Sequence, residues 1–243
     1  MDMTESAAKS HRTVSRVTAI LELAAEQPGI RLGTLAWALD APKSSVFGLV
    51  KGLVSTGYLV EDDSGFQLGP ALGNLLTAER PNLADAARPT LEELRDTFDE
   101  TAMLGTSVGD SVVYIAAAES RQLIRYSAPL RHRRPLFPPS AGKVLLAARS
   151  PRKRDAYLHS IIDDPERLDE ARTELERVRA EGVAINRGET LPDVSATARP
   201  VVVHGRTLAA IAVAGPTTRI AERLPEIAEA LVEATRAVTA RLS

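Results

Sequence analysis

At 243 residues and 44% hydrophobic content, the chain has material for one ordinary core and a second, smaller one, so two unequal domains are expected. Its 30 Lys and Arg against 32 Asp and Glu leave a net charge of -2, which excludes a global basic field and requires any nucleic-acid affinity to come from local cations. The lack of cysteine excludes disulfides, thiolate metal sites and cysteine nucleophiles, and the polar start MDMTESAAKSHR lacks the apolar stretch of a secretion signal, so a cytoplasmic protein with no membrane span is expected.

Residues 1–9 read as a disordered tail. Val14, Val17, Ile20, Leu21, Leu23 and Ala24 then recur at near-helical spacing up to a stop at Gln27–Pro28–Gly29. A second helix is expected from Leu32 to Leu39 and a third from Lys43 to Ser55, with Val46, Leu49, Val50, Leu53 and Val54 on its apolar face. Only Asp40, Ala41 and Pro42 separate them, the arrangement of a helix-turn-helix. Pro42 suits a helix start because its missing N–H would be unpaired there. Tyr58–Leu59–Val60 and Phe66–Gln67–Leu68–Gly69 flank an Asp-Ser-Gly turn, and a hairpin placed directly behind a recognition helix is a wing. Residues 10–69 are thus expected to form a winged helix-turn-helix.

A linker helix is expected over residues 70–82, running from Pro70 to about Glu79 and ending at Arg80–Pro81–Asn82. Residues 83–243 read as one larger domain. It opens with a helix from Leu83 to Phe98, followed by strand-like runs at Met103–Val108 and Val112–Ala117 and a third at Leu123–Ser127. Helices are expected over Ser140–Ala148, Arg152–Ile161 and Leu168–Ala180. Val194–His204 and Leu208–Gly215 form a hairpin across Gly205–Arg206, and a last helix covers Glu222–Leu242. Strand hairpins at both ends with helices between them predict an α+β domain on an antiparallel sheet.

Short motifs run through the whole chain: Pro42–Lys43–Ser44–Ser45–Val46, Leu53-x-x-x-Gly57–Tyr58, Leu68–Gly69–Pro70, Val113–Tyr114–Ile115, Ala141–Gly142–Lys143, Arg179–Ala180–Glu181–Gly182–Val183 and Val213–Ala214–Gly215–Pro216. In this order and spacing the chain resembles the IclR family of bacterial transcription regulators. The resemblance implies DNA binding by a winged helix-turn-helix, a GAF-like effector domain, and assembly into dimers or tetramers. It implies no catalysis and no cofactor.

Candidate contacts to double-stranded operator DNA are Arg31, Pro42, Lys43, Ser44, Ser45, Phe47 and Lys51. The start of the third helix would enter the major groove, where Lys43, Ser44 and Ser45 can reach phosphates or base edges, while Lys51 would lie near the backbone. The chain departs from the family at Phe47 and Gly48, where members often carry His or Arg. Phe47 can touch a thymine methyl or simply pack, and Gly48 offers no contact. The wing departs as well, because Glu61, Asp62 and Asp63 are acidic and Phe66–Gln67 replaces an arginine-bearing pattern.

The resemblance places an effector site at Ser140, Ala141 and Gly142, at Asn186 and Glu189, at Val194 and Ala196, and at Ala212 and Ala214, with Leu123 beside them. A helix beginning at Ser140 would present free N–H groups and a positive dipole end, which suits a carboxylate. Several members have an acid at the position of Asn186, a cysteine near Ala196, and serines where Ala212 and Ala214 stand. Without those polar groups the expected ligand is an organic acid with an aromatic or aliphatic body rather than a small polar acid. Arg125, Arg187 and Arg199 are candidate carboxylate partners. The apolar face of the first helix (Val14, Val17, Leu21) is a candidate dimer contact.

Catalytic alternatives lack their motifs. His11, His132, His159 and His204 have no metal-ligand spacing, so no metal site is expected, and Gly142–Lys143 is no P-loop because Phe137 and Val144 stand where Gly and Ser or Thr are required. The Arg131–His132–Arg133–Arg134 run reads as a solvated loop. Residues 1–70 carry six cations against eight acids. Each neutralised phosphate adds a counterion-release contribution, so DNA binding per monomer is expected to be weak and shallow in salt, with dimerisation supplying affinity. A salt titration of DNA affinity steeper than that of a strongly basic regulator would contradict this expectation.

Overall fold

The computed structural model describes residues 11–72 and 83–243. The expected tail and nearly all of the expected linker helix therefore lie outside the described residues. The chain divides into two compact units, one up to residue 79 and one from residue 80.

In the first unit, α1 (Arg12–Glu26), α2 (Leu32–Ala38) and α3 (Lys43–Ser55) are followed by an antiparallel pair, β1 (Leu59–Asp62) and β2 (Gly65–Leu68). This is the expected winged helix-turn-helix. Pro42 is the N-cap of α3, in extended backbone just ahead of the first helical residue. Ile20, Leu35, Val46, Val50 and Leu59 are fully buried in one core, and Phe66 closes it from the wing. An isolated bridge between Ile30 and Phe66 ties the α1–α2 connection to β2. Val17 and Leu21 pack against this core, leaving Val14 as the exposed member of the expected dimer face.

The second unit is a six-stranded antiparallel sheet in the order β5-β4-β3-β8-β7-β6. Its strands are β3 (Thr101–Val108), β4 (Ser111–Ala118), β5 (Arg133–Pro135), β6 (Ala184–Leu191), β7 (Val194–Val203) and β8 (Arg206–Pro216). The β7–β8 turn is the pair His204–Gly205, both in left-handed backbone, as a two-residue hairpin that follows the sheet twist requires. α4 (Leu83–Phe98) and α9 (Leu224–Leu242) cover one face, burying Leu91, Phe98, Ile227 and Leu231 against Leu104, Val201, Ile211 and Val213. α5 (Ser140–Ala147) covers the other, with α7 (Pro165–Glu181) packed against α5 and α6 (Pro151–His159) against α7. The α+β class follows the expectation, with helices on both faces of the sheet.

Three elements differ from the sequence reading. Leu123–Ser127 forms no strand; it belongs to an irregular segment, and the strand beside β4 is β5, whose Arg134 pairs with Val112. The run expected to be a solvated loop is split by this pairing: Arg131, His132 and Arg133 are exposed, whereas Arg134 is half-buried. The segment after Gly182 is the edge strand β6 (Ala184–Leu191), paired with β7 over Ala184–Arg187 and again at Leu191.

Helix α5 sits at the centre of the second unit, and all eight of its residues are buried. Ala198, Ala210, Ala212 and Ala214 on the facing strands are small enough for it to lie close to the sheet. Leu146 is fully buried, a gain of about 1.5–3 kcal/mol by apolar transfer. Lys143 in the middle of this helix is also fully buried, and its ammonium donates to Glu174 Oε1 (2.6 Å), Glu189 Oε2 (2.6 Å) and the Ile185 carbonyl (3.0 Å). All three donors of the ammonium are used, which is the condition for burying a lysine.

Across the sheet, the buried Glu100 at the start of β3 takes both Nε (2.7 Å) and Nη2 (3.0 Å) of Arg219 on the short helix α8 (Thr217–Ile220). Gly215 makes room for that carboxylate, since an added Cβ there would collide with it. Arg219 also donates to the Ile124 carbonyl (2.9 Å), and Thr101 Oγ1 donates to the Tyr126 carbonyl (2.5 Å). The irregular segment between β4 and β5 is held in place by these bonds.

Gly142 packs directly against the backbone of Leu136, so an added methyl meets a carbonyl that cannot move aside. Gly142→Ala is expected to cost about 3 kcal/mol, the upper end of the usual overpacking range, seen as a lower urea midpoint of the full chain. An unchanged midpoint would show that α5 can shift away from the Leu136 backbone.

Candidate functional site

The first unit presents α3 as its reading helix. Val46, Val50 and Leu53 are buried, which turns Lys43, Ser44, Ser45, Phe47, Gly48 and Lys51 outward, all of them exposed together with Pro42. Nothing lies within 4 Å of a Cβ added at Gly48 or Gly52, so this face is open along its length. Lys43 folds back toward α2, its Cε and Nζ 3.7 and 3.8 Å from the position of a Cβ on Gly33. Arg31 is exposed as the N-cap residue of α2.

The wing carries the opposite sign. Hydrogen bonds from the Ser64 hydroxyl and amide hold the Asp62 carboxyl below the usual carboxylate range, so the turn stays anionic at neutral pH. Lys51 reaches across to Glu61 Oε2 at 2.5 Å and lies 5.6 Å from the centroid of the Phe47 ring. A lysine expected to face the DNA backbone is thereby partly neutralised within its own unit. Trp37 on α2, 85% exposed, was missed by the sequence reading because it lies off the apolar stripe formed by Leu35, Ala36 and Leu39.

The second unit holds a cleft, partly open to solvent, between the start of α5 and the strands. Its apolar wall is Met103, Tyr114, Leu191, Val194, Ala196 and Ala214. Its polar side chains are Tyr126, Arg134, Ser140, Asn186 and Thr190, with Pro139 at the entrance to the helix. Asn186 is fixed by donating to the Pro138 carbonyl and to Thr190 Oγ1, both at 2.9 Å. Pro139 caps α5 without a side-chain acceptor for its first amides.

Of the residues expected at an effector site, Ser140, Asn186, Val194, Ala196 and Ala214 come together in this cleft. Ala141, Gly142 and Ala212 are buried in the packing around α5, and Glu189 is drawn to Lys143. Leu123 is 98% exposed and lies outside the cleft. The three expected carboxylate partners are elsewhere too: Arg125 pairs with Glu119, while Arg187 and Arg199 donate to the carbonyls of Ala221 and Ala228. Sequence reasoning missed Met103, Tyr114, Tyr126, Arg134, Pro139, Thr190 and Leu191.

Arg134 is the one cation among the cleft-lining residues. Its Nε is buried with no partner, its Nη1 is 3.4 Å from the Tyr126 hydroxyl, and its guanidinium carbon lies 6.0 Å from the Tyr114 ring centroid. Burial drives the Tyr114 phenol well above its ordinary range, so it remains neutral. Among the described residues no cluster of three His, Asp or Glu side chains could hold a metal, and no helix is long and apolar enough to cross a membrane.

A winged helix-turn-helix joined in one chain to a domain with a largely apolar cleft defines a ligand-responsive transcription factor. Residues 13–63 match the family described as the IclR helix-turn-helix domain, and residues 76–240 match the bacterial transcriptional regulator IclR C-terminal domain. The chain belongs to the IclR family of transcriptional regulators. It is 32% identical to the HTH-type transcriptional regulator BhcR of Paracoccus denitrificans over 93% of this chain and 85% of that protein. It is 27% identical to KipR of Bacillus subtilis over 96% and 97% of the two chains. Among solved structures, an IclR transcriptional regulator from Silicibacter sp. TM1040 superposes with a TM-score of 0.78 at 26% identity, covering 95% of this chain and 96% of that one. An IclR homolog from Microbacterium hydrocarbonoxydans, solved in complex with 4-hydroxybenzoate, shares the fold with a TM-score of 0.72 at 22% identity over 95% and 98%.

The Lys51–Glu61 pair makes a directional prediction for DNA. Glu61→Gln releases the ammonium and should strengthen DNA binding several-fold, while steepening the slope in log salt by about one phosphate contact. Fluorescence anisotropy across a salt series reads both quantities, and an affinity equal to wild type would mean that Lys51 takes no part in binding.

Proposed function

We propose that the chain represses or activates genes by binding an operator as a dimer or tetramer through α3, and that a small organic acid with an apolar body, bound in the cleft, controls that binding. The carrying observation is the cleft itself: apolar on most of its wall, with a few polar groups gathered beside the start of α5. That is the usual make-up of a small-molecule site. In this reading residues 10–69 read DNA, 70–82 connect, and 83–243 bind the effector and oligomerise in the cytoplasm. Neither catalysis nor a cofactor enters it. The 4-hydroxybenzoate bound by the Microbacterium fold neighbour is a ligand of the proposed kind.

A second reading, a ligand sensor with weak or lost DNA binding, draws on the acidic wing and on the pairing of Lys51 with Glu61. The two are separated by a mobility shift on the DNA flanking the chain's own gene. Under the main reading a discrete complex forms, Lys43→Ala weakens it at least tenfold, and an aromatic or branched aliphatic acid changes its stability. Retention at nanomolar protein with no response to any such acid would sink the effector half. Failure to retain any flanking fragment while the acids still bind would favour the sensor.

A further inference from the structure

We propose that Arg134 is the anion anchor of the cleft, and that it selects monocarboxylates whose ring or branched chain fills the apolar remainder. This rests on the reading of the cleft as the effector site, and adds the residue and the charge that choose the ligand.

The guanidinium sits at the cleft in an unfinished state. No described carboxylate pairs with it, its Nε–H is buried and unpartnered, and its one hydrogen bond, to the Tyr126 hydroxyl, is long at 3.4 Å. A buried cationic donor without an acceptor is costly unless something supplies one. The protein has spent its other nearby arginines on internal acceptors, Arg125 on Glu119 and Arg187 on the Ala221 carbonyl, so Arg134 is held apart from that network. Its place in β5, where it pairs with Val112 of β4, sets it on the edge strand of the sheet.

The chemistry of the surroundings narrows the ligand. Nε–H and the neighbouring Nη–H of an arginine form a side-on fork that matches the two oxygens of a carboxylate, a geometry that lysine cannot reproduce. The other lining side chains are formally neutral, so the cleft compensates one negative charge and leaves the second of a dicarboxylate unpaired. Ser140 opens α5 at the same cleft, and the positive end of the helix adds to the field of Arg134. Beyond the fork lie Met103, Leu191, Val194 and Ala196, which offer an organic body dispersion contacts but no hydrogen bonds.

Calorimetry on the full chain tests this with benzoate and phenylacetate as acids and benzamide as the neutral isostere. Wild type should bind the acids at least tenfold more tightly than the amide. Arg134→Gln should bring that ratio close to one, and Arg134→Lys should leave it between the two. Urea midpoints close to wild type establish that both variants fold. A third variant, Ala196→Trp, fills the cleft and should abolish binding of acids and amide alike. If Ala196→Trp still binds benzoate normally, the acids bind elsewhere and the cleft reading fails together with the anchor. If it blocks binding while Arg134→Gln keeps the full preference for acids, the cleft reading stands and the anchor alone is overturned. A wild type that shows no preference for acids, or binds none of the three compounds, overturns the anchor as well.

Discussion

The second unit is organised around one buried cation. Lys143 lies at the middle of a helix with no exposed residue, and an unpaired ammonium there would cost several kcal/mol, enough to threaten a fold of ordinary stability. Its three acceptors come from α7 and from β6, so satisfying one side chain fixes the positions of two further elements. Because Glu174 and Glu189 are partly exposed, the interior holds a cation whose counterions keep contact with water. The start of α5 is placed by the same packing, through the glycine that lets it touch Leu136. The cleft opens beside this helix start, with Ser140 on α5 and Asn186 on β6 in its wall.

The two units solve opposite electrostatic problems. The wing stacks acids beside a reading helix that must approach phosphate, and part of the available positive charge is absorbed internally by Glu61. The cleft keeps a single cation unspent within apolar walls. In water-exposed surroundings a charge pair such as Lys51–Glu61 is worth a fraction of a kcal/mol, which makes it easy for a phosphate to displace. In the cleft, lower dielectric magnifies every charge, the proposed basis for selection by one guanidinium.

Much of this was legible in the residues, and the failures share a cause. The helix-turn-helix follows from apolar periodicity and a proline-bounded turn, which depend on neighbours in sequence. Arg134 could not be found that way: within Arg131–Arg134 it resembles its exposed neighbours, and only pairing with Val112, distant in sequence, places it in β5. Asn186 and Arg187 lack strand propensity, yet join β6 because Ala196 and Ser195 of β7 pair with them, and the chain bulges over Gly188–Thr190 before pairing again at Leu191. Leu123 is expected at the effector site, but the chain around it follows the Arg219 and Thr101 bonds and leaves it in solvent. The candidate effector residues that did gather lie on strands and at a helix start, where position along the chain translates most directly into position in space.

The edges of the larger sheet carry one more consequence. On one side the sheet ends in β5, only three residues long; on the other it ends in β6, whose pairing with β7 is interrupted by a bulge between Arg187 and Leu191. Short and bulged edges are poor templates for another strand. Open-ended growth by strand addition, the route that leads to fibres, is therefore disfavoured at both edges of this sheet.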